Sequence, residues 1–483
     1  MEEDENRLED GCRMGNAGPF GHRPETRVGA LAQECGSMSM GLQINGFVAS
    51  GLCVALMGAG CAPTVGERKD GAAAADEPEA ASEAPAAEDD TDAGTPGGSD
   101  AVDGLPPIAW ISVTVDDGRE PDNFPERREW MSADIVVQAD GAVVHQGRAG
   151  IHVRGNTSAW FDKKSYALET WDADDEDLDV SLLGLPAEED WVLQGPYSDK
   201  SLIRNHLTYS LYRDIGRYAA RTRFVELEVN EDYRGIYVLM EKIKRDPVRM
   251  DLPTGAVLLK RDWVEGGPAF IRTDACRDTV KVEWPDDPSG VVERLNRVEQ
   301  ALLDGELRSV DLESFVDHML TVELGRNVDG YVLSTWITLS EDDVLGMGPV
   351  WDYNGALGNA SYFRAWNPEG WHYENPEFPA DNPNGFCWYE SLLADPDFLE
   401  LRRTRWQAHR AGAWSDAAIE ARIDEAVGVI QPAVDANFDR WPILGEEIWP
   451  NDAGAEDRLS YAEEVAYLKS WMLQRTAWLD SQL

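Results

Sequence analysis

The sequence predicts an α+β fold in two lobes, β-rich first and helical second. Three observations carry that expectation. Apolar residues alternate with period two in short runs from Ile108 to Lys260. From about Pro288 the apolar period changes to 3.6, over Val291 to Leu303, Leu312 to Asn327, Asp395 to Trp414, Ala417 to Ile430 and Tyr461 to Leu479. The composition, 43% hydrophobic with 18 Trp in 483 residues, is that of a chain with a real core and room for two or three compact units.

The ordered part is expected over residues 107–483, with the β-rich lobe at 107–287 and the helical lobe at 288–483. Residues 1–37 are polar and Gly-rich without periodicity and read as an overlong start or a disordered extension; Met38 and Met40 are alternative starts. An apolar run from Phe47 of about 13 residues is too short for a spanning helix and suits the apolar centre of a signal peptide. It ends in Gly58-Ala59-Gly60-Cys61, a small-residue approach to a cysteine that resembles a bacterial lipoprotein signal with Cys61 as the lipidated residue. An ordinary secretory signal and a buried apolar segment are the alternatives. Residues 62–106 are rich in Ala, Glu, Asp, Pro and Gly, cannot bury enough surface to offset chain entropy, and read as an acidic disordered tether. With Cys61 lipidated, Cys276 and Cys387 remain in the ordered part and can pair in an oxidising compartment. No cysteine spacing suits structural zinc.

Ile108–Val115, Ala133–Val137 and Ala142–Gln146 read as strands, with Asp140-Gly141 as a hairpin turn. A strand, a polar loop and a second strand follow in Arg154-Gly155-Asn156-Thr157-Ser158 and Lys163-Lys164-Ser165-Tyr166. Alternation puts Lys164 on the face of Tyr166 and Leu168. Such a lysine beside a Gly-containing loop either contacts phosphate or snorkels. Lys200–Tyr212 is an amphipathic helix. Phe224–Asn230 and Gly235–Ile243 form a hairpin, and Glu241 at its end is either a ligand contact or a paired glutamate.

Two aspartates stand out. Asp329 follows a helix in Arg326-Asn327-Val328-Asp329-Gly330. Asp352 follows an apolar approach in Gly348-Pro349-Val350-Trp351-Asp352-Tyr353-Asn354. A β-prone segment, Tyr331 to Leu339, and an acidic turn lie between them. This order can bring two carboxylates to one end of a hairpin, where they repel unless a cation lies between them or one stays protonated. Each taken alone is also an ordinary turn or capping aspartate. The net charge of −47 argues against nucleic acid as a partner.

Taken together, RGNTSAWFDKKSYALE, WVLQGPYSDKSLIRN, FVELEVNEDYRGIYVLMEKIKRD and the Asp329–Asp352 segment resemble the CotH spore-coat protein kinase family. The similarity runs over roughly Ile108 to Trp414 with the segment order kept. It implies an atypical protein-kinase-like fold and transfer of the ATP gamma-phosphate to Ser or Thr of a protein, with Mg2+ or Mn2+. Under the resemblance Lys164 contacts phosphate, Arg154 opens the loop over the phosphates, and Glu241 and Ile243 form a hinge beside the adenine. Asp329 is the acid that orients or deprotonates the hydroxyl. Asp352 binds metal, with Asp329 and Asn354 as further ligands. Two departures are visible: Ser334 stands where an ordinary kinase catalytic loop has a metal-binding Asn, and no GxGxxG loop is present. Some relatives are adhesive surface proteins, so the alternative is a membrane-tethered binding protein without turnover. A third reading, a two-carboxylate glycosidase, would use Trp366, Trp371 and Trp388 as a sugar platform. The expected location is the cell envelope, with membrane contact only through a lipid anchor at Cys61.

Overall fold

The computed structural model describes residues 104–121, 129–264, 266–375, 377 and 386–483. Cys61, the apolar run before it and nearly all of the acidic stretch after it lie outside the described residues.

The first strands are β1 (Ala109–Val115), β2 (Met131–Ala139), β3 (Ala142–Arg154), β4 (Ser165–Trp171) and β5 (Asp190–Gln194). After helix α1 (Arg204–Asp214) come β6 (Thr222–Val229) and β7 (Asp232–Glu241). These seven close into a barrel in the order β1-β2-β3-β4-β5-β7-β6. Neighbours are antiparallel except β1 and β6, which run parallel with Ile111 opposite Leu227. The alternation in the sequence is what fills the barrel: Ile111, Val113, Ile135, Ile151, Val153, Tyr166, Leu168, Leu193, Leu227 and Leu239 form one buried cluster. Asp140 and Gly141 both have positive φ, 51° and 75°, as a tight hairpin between β2 and β3 requires.

A second sheet contains β8 (Val257–Arg261), β9 (Phe270–Arg272), β10 (Thr279–Trp284), β11 (Thr335–Leu339) and β12 (Leu345–Met347), in the order β12-β11-β8-β10-β9. The helices are α2 (Val291–Leu303), α3 (Leu312–Gly325), α4 (Cys387–Leu393), α5 (Pro396–Arg410), α6 (Asp416–Ile430), α7 (Val434–Arg440) and α8 (Tyr461–Gln482). Helix α3 is the spine of the larger core. Asp311 caps it, accepting from the Ser314 N–H at 3.1 Å, and every residue from Ser314 to Gly325 is buried. A helix apolar almost all round is stable only inside a protein. Its two buried acids are compensated. Asp317 meets Arg217 and Arg405 at 2.6 Å each and His409 at 3.0 Å, and Glu323 meets Arg475 at 3.1 Å. Cys276 and Cys387 form a disulfide that ties the connection between β9 and β10 to the start of α4.

These elements correct the expected α+β, atypical protein-kinase-like two-lobed architecture. The chain forms a closed seven-stranded barrel plus a separate five-stranded sheet with helices. Periodicity finds most of the strands, though not β9, β10 or β12, and gives no strand its distant partner. Closure depends on β1 pairing with β6, and the second sheet depends on β11 pairing with β8, both distant in sequence. The β-prone stretch expected over Tyr331–Leu339 is also shorter, because the N–H groups of Val332 and Leu333 both turn back to the Asp329 carbonyl at 2.8 Å.

Candidate functional site

Two buried elements deliver the aspartates. Helix α3 stops at Arg326, whose φ of 45° is the left-handed conformation that ends many helices. The chain then turns tightly. The Asp329 N–H donates to Asn327 Oδ1 at 3.2 Å, and Ser334, at φ 50°, redirects it into β11. The β11–β12 hairpin returns the chain to Asp352, a non-glycine residue at φ 64°. That conformation costs on the order of 1 kcal/mol and persists only where neighbours enforce it. Here they do. The Asp352 N–H donates to the Tyr209 hydroxyl at 3.0 Å, Asn327 Nδ2 donates to the Asp352 carbonyl at 3.1 Å, and the Tyr353 N–H donates to Asn205 Oδ1 at 2.7 Å. Tyr209 and Asn205 lie on α1, so this helix and the end of α3 clamp the second acid from two sides. Ser334 Oγ donates to Asp352 Oδ2 at 3.4 Å.

The electrostatics show what has been assembled. Burial, then the charges of Asp352 and Asp262, push the Asp329 carboxyl up to about 7. Burial also raises Asp352; Lys260 and Arg154 oppose that shift, and Asp262 adds to it. Two partly buried carboxylates that each resist ionisation are common at functional sites. Arg154 stands with its guanidinium 5.5 Å from the centre of the Trp351 ring.

Asp262 and Lys260 were not legible as site residues. Their place depends on a strand register: Arg261 lies opposite Thr335, which sets Asp262 at the end where Ser334 enters β11. A strand followed by Arg-Asp gives no hint of that partner.

The other expected residues are placed as follows. Ile243 is buried with Met250, Leu258 and Trp336, and Trp351 packs against this cluster, which connects it to the neighbourhood of Asp352. Glu241 is fully buried and is held by Arg221 at 2.6 Å, the Arg221 N–H at 2.9 Å and the Tyr218 hydroxyl at 3.3 Å. Lys164 precedes β4 and donates from Nζ to the Ala159 carbonyl at 3.0 Å. Its neighbour Lys163 is the buried one of the pair, bonded to Asn437 Oδ1 at 2.8 Å. Asn354 is partly buried beyond Asp352, its carbonyl accepting from Asn359 Nδ2 at 2.7 Å. Trp388 is a core residue, 1% exposed with its indole N–H on Glu299.

The donor set at the site is carboxylate oxygen, which suits a hard divalent cation such as Mg2+ or Mn2+. Asp262, Asp329 and Asp352 do not place their oxygens within 4.8 Å of one another as a group. A magnesium-like ion takes one or two carboxylates and keeps waters or phosphate oxygens for the rest, so it does not require a three-carboxylate cage. Glu188, Glu189 and Asp190 do lie that close, but a lysine occupies their centre. Lys244 Nζ bonds Glu188, Glu189 at 2.6 Å and Asp190 at 2.9 Å, and Arg249 meets Glu188 at 2.8 Å. This trio joins β5 to the segment after β7 and holds a fixed cation already.

No curated protein matches the chain. The model of one family, described as CotH kinase protein, matches residues 151–479, a span that holds Lys164, Glu241, Lys260, Asp262, Asp329 and Asp352. The chain thus belongs to the CotH kinase family.

Proposed function

We propose that this protein is a metal-dependent protein kinase that transfers the ATP gamma-phosphate to a Ser or Thr hydroxyl. The observation that carries the reading is the meeting of Asp329 and Asp352 in one electrostatic field, on a backbone bent to hold them. Asp352, with Asp329 and Asn354 beside it, would hold Mg2+ or Mn2+. The ion supplies charge neutralisation across phosphate oxygens. Arg154 faces the same acid and would meet the phosphates. Trp351, partly exposed against the buried cluster of Ile243, Leu258 and Trp336, would offer a flat face for a base. Burial and the charges of Asp352 and Asp262 raise Asp329 to about 7 without an ion; a divalent cation alongside would lower it, leaving a carboxylate that can accept a proton. It would orient the acceptor hydroxyl and take its proton as the new O–P bond forms and the bond from the gamma-phosphorus to the β–γ bridging oxygen breaks, releasing ADP.

We further propose that the protein is exported and lipid-anchored at Cys61, with the folded part held in the cell envelope. The Cys276–Cys387 disulfide supports an oxidising compartment.

Titration of the full chain with ATP and Mg2+ or Mn2+ tests the reading. The nucleotide–metal pair should raise the melting temperature, since a ligand that binds only the folded state stabilises it. Asp352→Ala should remove most of the rise, and Asp329→Ala should abolish phosphoryl transfer while retaining most of it. No shift with any nucleotide–metal pair would refute the kinase reading in favour of a tethered binding protein.

A further inference from the structure

The site contains a cation that the family motifs did not single out. Lys260 lies on β8, at the position opposite Trp336 on β11. Its side chain is only 15% exposed, its ammonium is 5.4 Å from the centre of the Trp336 ring, and it pairs directly with Asp262. Two residues along, just past the last ladder pair Arg261–Thr335, Asp262 comes level with Ser334, whose hydroxyl is on Asp352. Lys260 is therefore held between an indole face and a site carboxylate, one step from the acid that would bind metal. Trp336 is 6% exposed, and its indole N–H has no acceptor among the described residues. A buried donor left open beside a lysine is a place where a ligand oxygen or nitrogen would complete the hydrogen bonding.

Lys164 presents a different picture. Its ammonium is turned to the Ala159 carbonyl, within the turn at the end of the RGNTS loop. Among the charges that act on Asp352 are those of Lys260, Asp262 and Arg154.

We propose that Lys260 is the lysine that meets the terminal phosphates of the phosphoryl donor, and that Asp262 holds it in place until a divalent cation arrives. This deepens the kinase reading and rests on it. Charge balance supports the order of events. The carboxylates of Asp262 and Asp352, with Asp329 beside them, offset the cations Arg154 and Lys260, so the site has no spare positive charge for a bare polyphosphate. A divalent ion would supply that charge and compete with Lys260 for Asp262. The freed ammonium can then turn to a phosphate oxygen.

The test uses the full chain and four substitutions: Lys260→Met, Lys260→Arg, Lys164→Met and Asp352→Asn. Calorimetry measures binding of Mn2+ alone and of ATP with Mn2+. Lys260→Met should weaken ATP–Mn2+ binding at least tenfold, and Lys260→Arg should restore part of it. Lys164→Met should change it less than threefold. Mn2+ alone should bind Lys260→Met as tightly as wild type or tighter, because its internal competitor is gone; a merely structural lysine would not produce that split. The proposal is overturned if Lys164→Met loses more affinity than Lys260→Met, or if Lys260→Met weakens Mn2+ binding. If wild type binds ATP–Mn2+, Asp352→Asn abolishes it and Lys260→Met leaves it intact, this assignment fails while the kinase reading stands. If wild type binds no ATP–Mn2+, both fail.

Discussion

Replacing Asp329 by Asn should make the metal-free protein more stable, not less. Asn matches the shape of the carboxylate but carries no charge to bury. The Asp329 carboxyl sits at about 7 against an ordinary value of 3.8, with burial as the main cause and Asp352 and Asp262 adding repulsion. Each unit of that difference is about 1.4 kcal/mol, so the ionised side chain costs the fold about 4 kcal/mol above pH 7. A group whose folded value is raised binds its proton more tightly when folded, so its destabilisation grows as pH climbs from about 4 to 7. The gap between Asp329→Asn and wild type should therefore shrink to about 2 kcal/mol at pH 5. For about 360 described residues the unfolding entropy is roughly 0.8 kcal/mol per kelvin, which converts the larger figure to a rise of about 5 °C. The assay is thermal unfolding in EDTA at pH 8 and pH 5, with Mn2+ added in a third series. Mn2+ should narrow the gap by stabilising wild type more than the variant. An unchanged or lower melting temperature for Asp329→Asn at pH 8 would refute the claim that this aspartate is held against its own preference for water.

Two further outcomes follow from groups outside the site. His318 is fully enclosed and bonded through Nδ1 to the Tyr389 hydroxyl at 2.8 Å; burial, helped by Arg261, lowers its value to about 3. The unfolded chain takes up that proton near pH 6.5 and the folded chain does not, so acid favours unfolding. Between pH 7.5 and 5.0, wild type should lose about 2 kcal/mol more than His318→Gln in urea denaturation, and equal losses would exclude the buried neutral imidazole. The Cys276–Cys387 bond closes a loop with a sequence separation of 111. Chain-entropy reasoning gives it up to about 4.7 kcal/mol, so Cys276→Ser with Cys387→Ser should lower urea stability by roughly 3–5 kcal/mol without altering Mn2+ binding. A loss of Mn2+ binding in that variant would show that the disulfide shapes the site as well as the core.

What was legible in the sequence was local. The helix expected over Val291–Leu303 has those same limits in the structure, and the Asp140-Gly141 turn lies where two strands needed a tight reversal. The strands β1, β2 and β3 fall where alternation put them, although β3 runs on to Arg154 because its second half faces the barrel interior. What was not legible was pairing at a distance. Period two states that one face of a strand is covered but not by which partner, so the parallel contact of β1 with β6 and the ring it closes left no trace in the pattern. The expected two-lobed kinase-like architecture failed for this reason.

The candidate site divides along the same line. Asp329 and Asp352 come together because each is fixed by a nearby signal: a helix that must end at Arg326, and a hairpin that must return. Asp262 and Lys260 reach the same place only through the pairing of β8 with β11, across the whole of α2 and α3. Lys164 shows the converse. Alternation aimed it inward with Tyr166, yet β4 begins at Ser165, and the residue the barrel end buries is Lys163. A strand's period applies only within its ladder, and Lys164 lies one step outside the pair of Arg154 with Ser165. Lys260 lies within its ladder, opposite Trp336, and its direction is set by the sheet. Phosphoryl transfer depends on groups held in place before the reactants arrive, and the ladder that sets Lys260 opposite Trp336 supplies such a hold.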